Sequence, residues 1–280
     1  MDNILGAANW MPAWWFTMVG INIVNFSVAI FLLFKSFKWE QQDPNDKKYY
    51  LFLRIFGLTF ALVALYRSMF VSSYPNRLAW FDTLFNSPFI VRSLATFAEM
   101  SFIGIIAVIL FRLNREMAVN KSGILAKSPY IAVICIFVAQ FFAFAGLITQ
   151  YNIWFAIEEG LWGLAFLSIT PLVFAYLTKA KKQNNIGKNY KIALIIMAVW
   201  CVGYGIFQWF YAMPFIYIAD IAHDVGRIIP PDALRQSIFN YTAIRDFDTW
   251  GGIGFFIWHS GYFSICVWMV LFFMSIGRKR

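Results

Sequence analysis

The chain has 280 residues, 61% of them apolar and only 13% charged, where about a quarter of an average soluble domain is charged. Its 32 Phe, 13 Tyr and 12 Trp suit a bilayer, in which Phe faces lipid and Trp and Tyr sit at headgroup depth. These figures exclude a disordered chain, a collagen, a disulfide scaffold and a simple nucleic-acid-binding domain, while the formal charge of +9 must be interpreted from where the cations fall.

Apolar runs of about 20 residues, the length a helix needs to cross roughly 30 Å of hydrocarbon, occur at Pro12–Phe34, Tyr50–Val71, Pro88–Phe111, Tyr130–Thr149, Ile153–Leu177, Ile192–Met213 and Gly252–Ile276. The fold class expected is an all-α integral membrane protein with seven transmembrane helices, a single multi-pass membrane domain over residues 1–280.

Cytoplasmic loops carry an excess of Lys and Arg. Lys35, Lys38, Lys47 and Lys48 follow span one; Arg112, Arg115, Lys121 and Lys127 follow span three; Lys179, Lys181, Lys182, Lys188 and Lys191 follow span five; Arg278, Lys279 and Arg280 end the chain. With seven spans these sixteen cations share one side, and the other side has only Arg77, Arg227, Arg235 and Arg245. The N-terminus is thus expected outside and the C-terminus in the cytoplasm. The basic balance is read as an orientation signal, with no nucleic-acid partner. Met1-Asp2-Asn3 lacks a basic n-region, so no cleavable signal peptide is expected. Cys135, Cys201 and Cys266 lie inside spans and read as small apolar packing residues.

The outer segment Ser72–Ser87 mixes Trp80, Phe81 and Phe85 with Arg77 and Asp82, as a short interfacial helix would. Pro214–Trp250 is the longest outer loop and a candidate lid. Thr178–Tyr190 reads as a solvated inner turn. No internal repeat aligns the polar residues of the first three spans with the last three, which weakens a transporter built from repeats.

An ionisable residue inside a span is costly and faces the bundle interior by default, so each is a candidate site residue. At about 1.5 Å per residue, Arg67, Arg92, Glu99, Glu158, Glu159, Gln208 and His259 all fall in the outer half, and Arg54 alone occupies the inner half, near enough to its end to snorkel. Arg92, Thr96 and Glu99 recur at i, i+4 and i+7 and share one face of span three. Trp200, Tyr204, Gln208 and Tyr211 form a stripe on span six, and His259, Tyr262 and Cys266 one on span seven. Glu158 and Glu159 point about 100° apart, one to the pocket and one to a neighbouring helix. Asn22, Asn25 and Gln140 read as interhelical packing contacts. The expected site is a pocket open to the outside. Glu99, Glu159 and His259 are its proton-active candidates, and Arg67, Arg92, Thr96, Glu158, Tyr204, Gln208 and Tyr262 its ligand-binding candidates. Arg–Glu contacts that merely hold helices together are the structural alternative.

Several chemistries are set aside. No span contains an interior lysine, which disfavours a retinal Schiff base, and no cofactor is expected. Two histidines, His223 and His259, cannot assemble a multi-His metal site, and no metal is expected. Asp220 and Asp224, four apart, make a weak Mg²⁺ motif beside a solvated helical turn. Asn240-Tyr241-Thr242 would accept a glycan only in a eukaryotic secretory route. Phosphate-binding glycine loops and a G-x-S-x-G elbow are both missing. Three readings remain: binding or translocation of a small, partly apolar ligand or protons; an intramembrane enzyme using carboxylic-acid general acid/base catalysis on a lipid or isoprenoid; and an accessory subunit. The bilayer is the one partner expected, with a small amphipathic ligand or lipid as a second.

Overall fold

The computed structural model describes residues 10–42, 46–117, 123–182 and 187–276. Met1, Asp2, Asn3, Lys121 and the basic tail Arg278–Arg280, on which part of the charge argument rests, lie outside the described residues, as does part of the Thr178–Tyr190 turn.

Among the described residues seven helices are long and apolar enough to cross a membrane: span one Trp10–Gln42, two Lys47–Met69, three Pro88–Met117, four Ile124–Thr149, five Asn152–Lys182, six Lys188–Ile221 and seven Gly252–Ser275. The chain is therefore an all-α, multi-pass integral membrane protein. Span three is the centre of the bundle and packs on spans two, four and five. Phe31, Phe97, Phe141 and Phe210, on four different spans, are exposed and form part of the lipid-facing shell.

Where helices approach most closely, small residues let them. A Cβ on Gly146 of span four would lie 2.8 Å from the Phe155 ring of span five, and one on Gly163 of span five 2.7 Å from Trp209 Nε1 of span six. Spans six and seven are each interrupted by a π-helical stretch, Gln208–Tyr217 and Tyr262–Cys266. Pro214 sits within the first, where the wider i→i+5 turn tolerates the missing backbone N–H that an α-helix could not spare. Span six consequently runs on to Ile221, and much of what reads as loop after Pro214 is helix.

One end of the bundle carries the two long connections and is called the loop end; the opposite end, with the lysine-rich turns, is the basic end. At the loop end Ser72–Ser73 (β1) pairs antiparallel with Leu78–Ala79 (β2), and β2 pairs parallel with Thr242–Ala243 (β3). The two connections are thus stitched together by backbone hydrogen bonds. Ser72–Ser87 is not an interfacial helix: after the hairpin, which turns at Pro75-Asn76 with Arg77 at φ 48°, only the single 3₁₀ turn Leu84–Asn86 is helical. Met11, Val71, Leu78, Trp80, Trp250 and Phe256 form a second apolar cluster there, separate from the main core. The short helix Ala233–Phe239 docks on spans three and four, and the Ser87 hydroxyl donates to the Ile238 carbonyl at 2.7 Å.

Candidate functional site

Span three places Arg92 and Glu99 two turns apart on one face, and their side chains meet. Arg92 Nη1 and Nη2 donate to the two oxygens of Glu99, each at 2.8 Å. Arg92 Nη2 also donates to Gln140 Oε1 of span four at 2.6 Å, and Gln140 Nε2 returns a hydrogen bond to Glu99 Oε2 at 3.0 Å. Glu158 of span five lies 3.3 Å from Arg92 Nη1. With Arg92 only 2% exposed, this is a buried, charge-assisted network joining three helices. The hydrogen bonds to Glu99 are all accepted ones, and both of its oxygens are engaged.

Arg67, on the adjacent span two, has the opposite character. It is 5% exposed, and its Nε and Nη1 have no hydrogen-bond partner among the described residues. Aromatic rings surround it instead: Tyr262 and Phe263 of span seven, each 5.2 Å from the guanidinium, and Tyr74 of the β1–β2 turn at 5.8 Å. Tyr74 also covers Arg92 at 5.6 Å. Burial holds the Tyr74 phenol above its usual pKa, with Arg67 and Arg92 pulling the other way. The Tyr74 and Tyr262 hydroxyls, Arg92 Nε, both amide atoms of Gln208 and His259 Nδ1 are likewise buried without a partner. Buried polar atoms normally find partners, and the interior beneath Tyr74 holds a cluster that lacks them among the described residues.

A third feature opens to the side. Spans six and seven pack loosely on each other and leave a groove of about 780 Å³ lined by apolar and aromatic side chains, among them Trp200, Gly203 and Tyr204 of span six and Ile265, Trp268 and Phe272 of span seven. Its inner wall joins the aromatic core, where Trp200 lies 5.8 Å from Phe102 and Tyr204 5.1 Å from Phe166. Tyr204 also donates to Glu159 Oε2 at 3.0 Å. Tyr204 is thus shared between the groove wall and a carboxyl group that lies behind it.

The chain matches no known protein family, no curated protein and no solved structure.

The site thus stands on its geometry. Arg92, Glu99 and Glu158 come together, and Gln140 makes the interhelical contact expected of it by bonding both Arg92 and Glu99. Glu158 and Glu159 diverge as neighbours on a helix must, one to Arg92 and the other to Tyr204. Arg67 and Tyr262 form the second, unpaired group. Thr96 stays out: its hydroxyl turns back onto the Arg92 carbonyl at 3.4 Å. Gln208 is 1% exposed and sits in the π-helical stretch near Gly163. His259 lies in an aromatic box of Trp14, Phe255 and Phe263, at 5.1, 5.5 and 4.3 Å, and among the described residues no hydrogen bond links it to the carboxyl groups. The pocket is not open at the loop end as expected, because Tyr74 and the stitched connections cover it. That turn is clamped to the end of span four: Arg77 Nη2 donates to the Ile148 carbonyl at 2.9 Å and Gln150 Nε2 to the Tyr74 carbonyl at 3.3 Å. Tyr74 is the residue that sequence reasoning missed. A single aromatic in a turn has no periodicity to reveal it.

Two other expectations change. Asp224 accepts the backbone N–H groups of Asn152 and Ile153 at 2.9 and 3.1 Å, so it caps the N-terminus of span five; no group of three metal-capable side chains occurs among the described residues. At the basic end Arg112, read as a solvated orientation charge, is buried against Asp46 at 3.1 Å and Glu116 at 2.9 Å, with Tyr49 4.3 Å beneath its guanidinium. Arg54 pairs with Glu40 at 2.6 Å. The bundle is tied by ions at that end.

Proposed function

We propose that the protein binds a small, partly apolar ligand inside the membrane, with the polar end of the ligand among Arg67, Tyr74, Tyr262 and the Arg92–Glu99–Glu158 network and its apolar part toward the groove between spans six and seven. The supporting observation is the cluster of buried polar atoms around Arg67 that have no partner among the described residues, beside an Arg92–Glu99–Gln140 network hydrogen-bonded several times over. A structure that leaves a guanidinium and two phenols partnerless at one place is stabilised when a ligand supplies the acceptors. The lateral groove, of a size ordinary for small-molecule sites, gives a route from the bilayer, and Tyr74 closes the other route. Glu99 serves as the fixed counter-charge that orients Arg92. Glu159, held by the Tyr204 phenol with Tyr217 beside it and by no cation contact among the described residues, is the better candidate for a group that changes state. The test is native mass spectrometry of the full-length protein released from mild detergent. The reading expects a bound molecule retained by the wild type and lost on Gly203→Phe, which fills the groove at a position where a Cβ meets nothing within 4 Å. A wild type that flies without any adduct would contradict it.

One observation favours a second reading, an intramembrane enzyme acting on a lipid or isoprenoid: Tyr204 both lines the groove and donates to Glu159, which puts a carboxyl group where a bilayer-borne substrate would arrive. Its test is comparison of membrane lipids from cells with and without the expressed protein, in which unchanged lipid and pigment profiles count against it.

A further inference from the structure

Around Arg67 three of the atoms without a partner among the described residues can only donate, its own Nε and Nη1 and Arg92 Nε, and beside them the Tyr74 and Tyr262 hydroxyls can donate or accept. What is missing there is an acceptor. Charge narrows the choice further. Arg92 is paired with Glu99 and Glu158, whereas Arg67 makes no ion pair among the described residues: aromatic faces lie against its guanidinium, and Glu99 and Glu158 act on it only from beyond contact distance. A desolvated cation that no counter-ion contacts is costly for a protein interior to hold, and a ligand bringing a negative charge into contact with it lowers that cost. The guanidinium fork with two phenols beside it matches a carboxylate, which accepts up to about four hydrogen bonds through its two oxygens.

Shape supplies the remainder. The head of the site is closed by the Tyr74 turn, which is clamped to span four through Arg77 and Gln150. An acid that ends the molecule fits beneath this roof, whereas a phosphodiester would need to pass a second substituent through it. From Tyr262, near the middle of span seven, the same helix continues toward the basic end with Ile265, Trp268, Met269 and Phe272, all groove residues. At about 1.5 Å per residue the groove begins roughly 5 Å below Tyr262 and extends to roughly 15 Å, the length of a medium to long alkyl chain. Tyr262 and Phe263 are part of a π-helical stretch, a local widening frequently found where a helix meets a ligand.

The geometry points to a single-chain amphipathic acid as the ligand, its carboxylate held by Arg67, Tyr74 and Tyr262 and its chain laid in the groove between spans six and seven. This inference rests on the intramembrane binding proposed above and adds the class of molecule.

Trp200 at the groove wall provides the readout. The full-length protein is placed in phosphatidylcholine nanodiscs at mildly alkaline pH, and the fluorescence difference between wild type and Trp200→Phe is followed while dibromostearate, its methyl ester or dibromo-phosphatidylglycerol is added; bromine quenches tryptophan on contact. The expected result is saturable quenching by the free acid at a membrane mole fraction at least about tenfold lower than by the ester, the value of one charge-assisted contact. Arg67→Gln should bring acid and ester together, Arg67→Lys should keep part of the difference, and Gly203→Phe should remove the saturable component for both. If Arg67→Gln does not fold, Tyr262→Phe deletes one donor and should weaken the acid severalfold while leaving the ester unchanged. Saturable quenching that is equal for acid and ester overturns the acid inference and leaves intramembrane binding standing. Equal potency of dibromo-phosphatidylglycerol overturns the choice of a single-chain acid. No saturable quenching by any probe overturns both the inference and the reading beneath it.

Discussion

Replacing Arg92 by Met removes the donor for both Glu99 oxygens at 2.8 Å, for Gln140 Oε1 at 2.6 Å and the partner of Glu158 at 3.3 Å. Two buried carboxyl groups are then left without the cation that contacts them both. Removing one member of a buried ion pair costs about 3–5 kcal/mol, and with both carboxylates orphaned Arg92→Met should lie in that range. Glu99→Gln is milder, about 1–2 kcal/mol, because Arg92 keeps Glu158 and Gln140 and the new amide still offers one acceptor. The combined change Arg92→Met/Glu99→Gln/Glu158→Gln leaves no charge in the network. It should be more stable than Arg92→Met alone, since replacing all members of a buried ionic group is often close to neutral. Reversible unfolding in mixed micelles titrated with dodecyl sulfate, followed by circular dichroism, measures all three. An Arg92→Met protein within about 1 kcal/mol of wild type, or a triple variant no better than Arg92→Met, would refute the claim that this network is desolvated and mutually dependent.

Other expectations follow from local geometry. Gly146→Val drives side-chain atoms into the Phe155 ring, which a Cβ alone would approach to 2.8 Å, and should destabilise spans four and five by about 1–3 kcal/mol in the same assay; unchanged stability would mean that the two helices separate freely. Asp224→Ala removes the acceptor of the Asn152 and Ile153 N–H groups and should cost about 0.5–2 kcal/mol, with faster hydrogen exchange confined to the start of span five; exchange that does not change there would reject the cap. Asp246 accepts from the Thr249 hydroxyl at 2.6 Å and its N–H at 2.9 Å, and these bonds hold its carboxyl below the usual aspartate value. A depressed folded-state value means that the contribution is complete above the unfolded pKa, about 3.9, and is lost as pH falls through the folded one. The Asp246–Thr249 turn should therefore exchange faster only on acidification below about pH 4, and Asp246→Asn should abolish that pH dependence.

The spans were legible because a bilayer imposes a length and a composition on each helix independently of its neighbours. The Arg92–Glu99 pair was legible for a related reason: a spacing of seven places two costly groups on one helix face, and each is the other's nearest remedy. Gln140 was read as packing because an amide inside a span has many possible partners and sequence does not say which helix lies opposite. Tyr74 and Arg112 escaped for reasons of context. One sits in a turn whose path is set by pairing with a strand more than 160 residues later in the chain, and the other looks like any loop cation until Asp46 and Tyr49 are seen around it. The extension of span six past Pro214 was hidden by the rule that proline ends helices, which a π-helical stretch evades. The groove between spans six and seven has no sequence signature, since it exists only because two apolar helices fail to close on each other.

The most direct test of intramembrane ligand binding is a cryo-electron microscopy map of the full-length protein in native-lipid nanodiscs. The account predicts continuous elongated density running from the Arg67, Tyr74 and Tyr262 side chains down past Trp200 between spans six and seven. Spans six and seven packed tightly together, with Arg67 swung into an ion pair with Glu99 and no density beside it, would contradict the account.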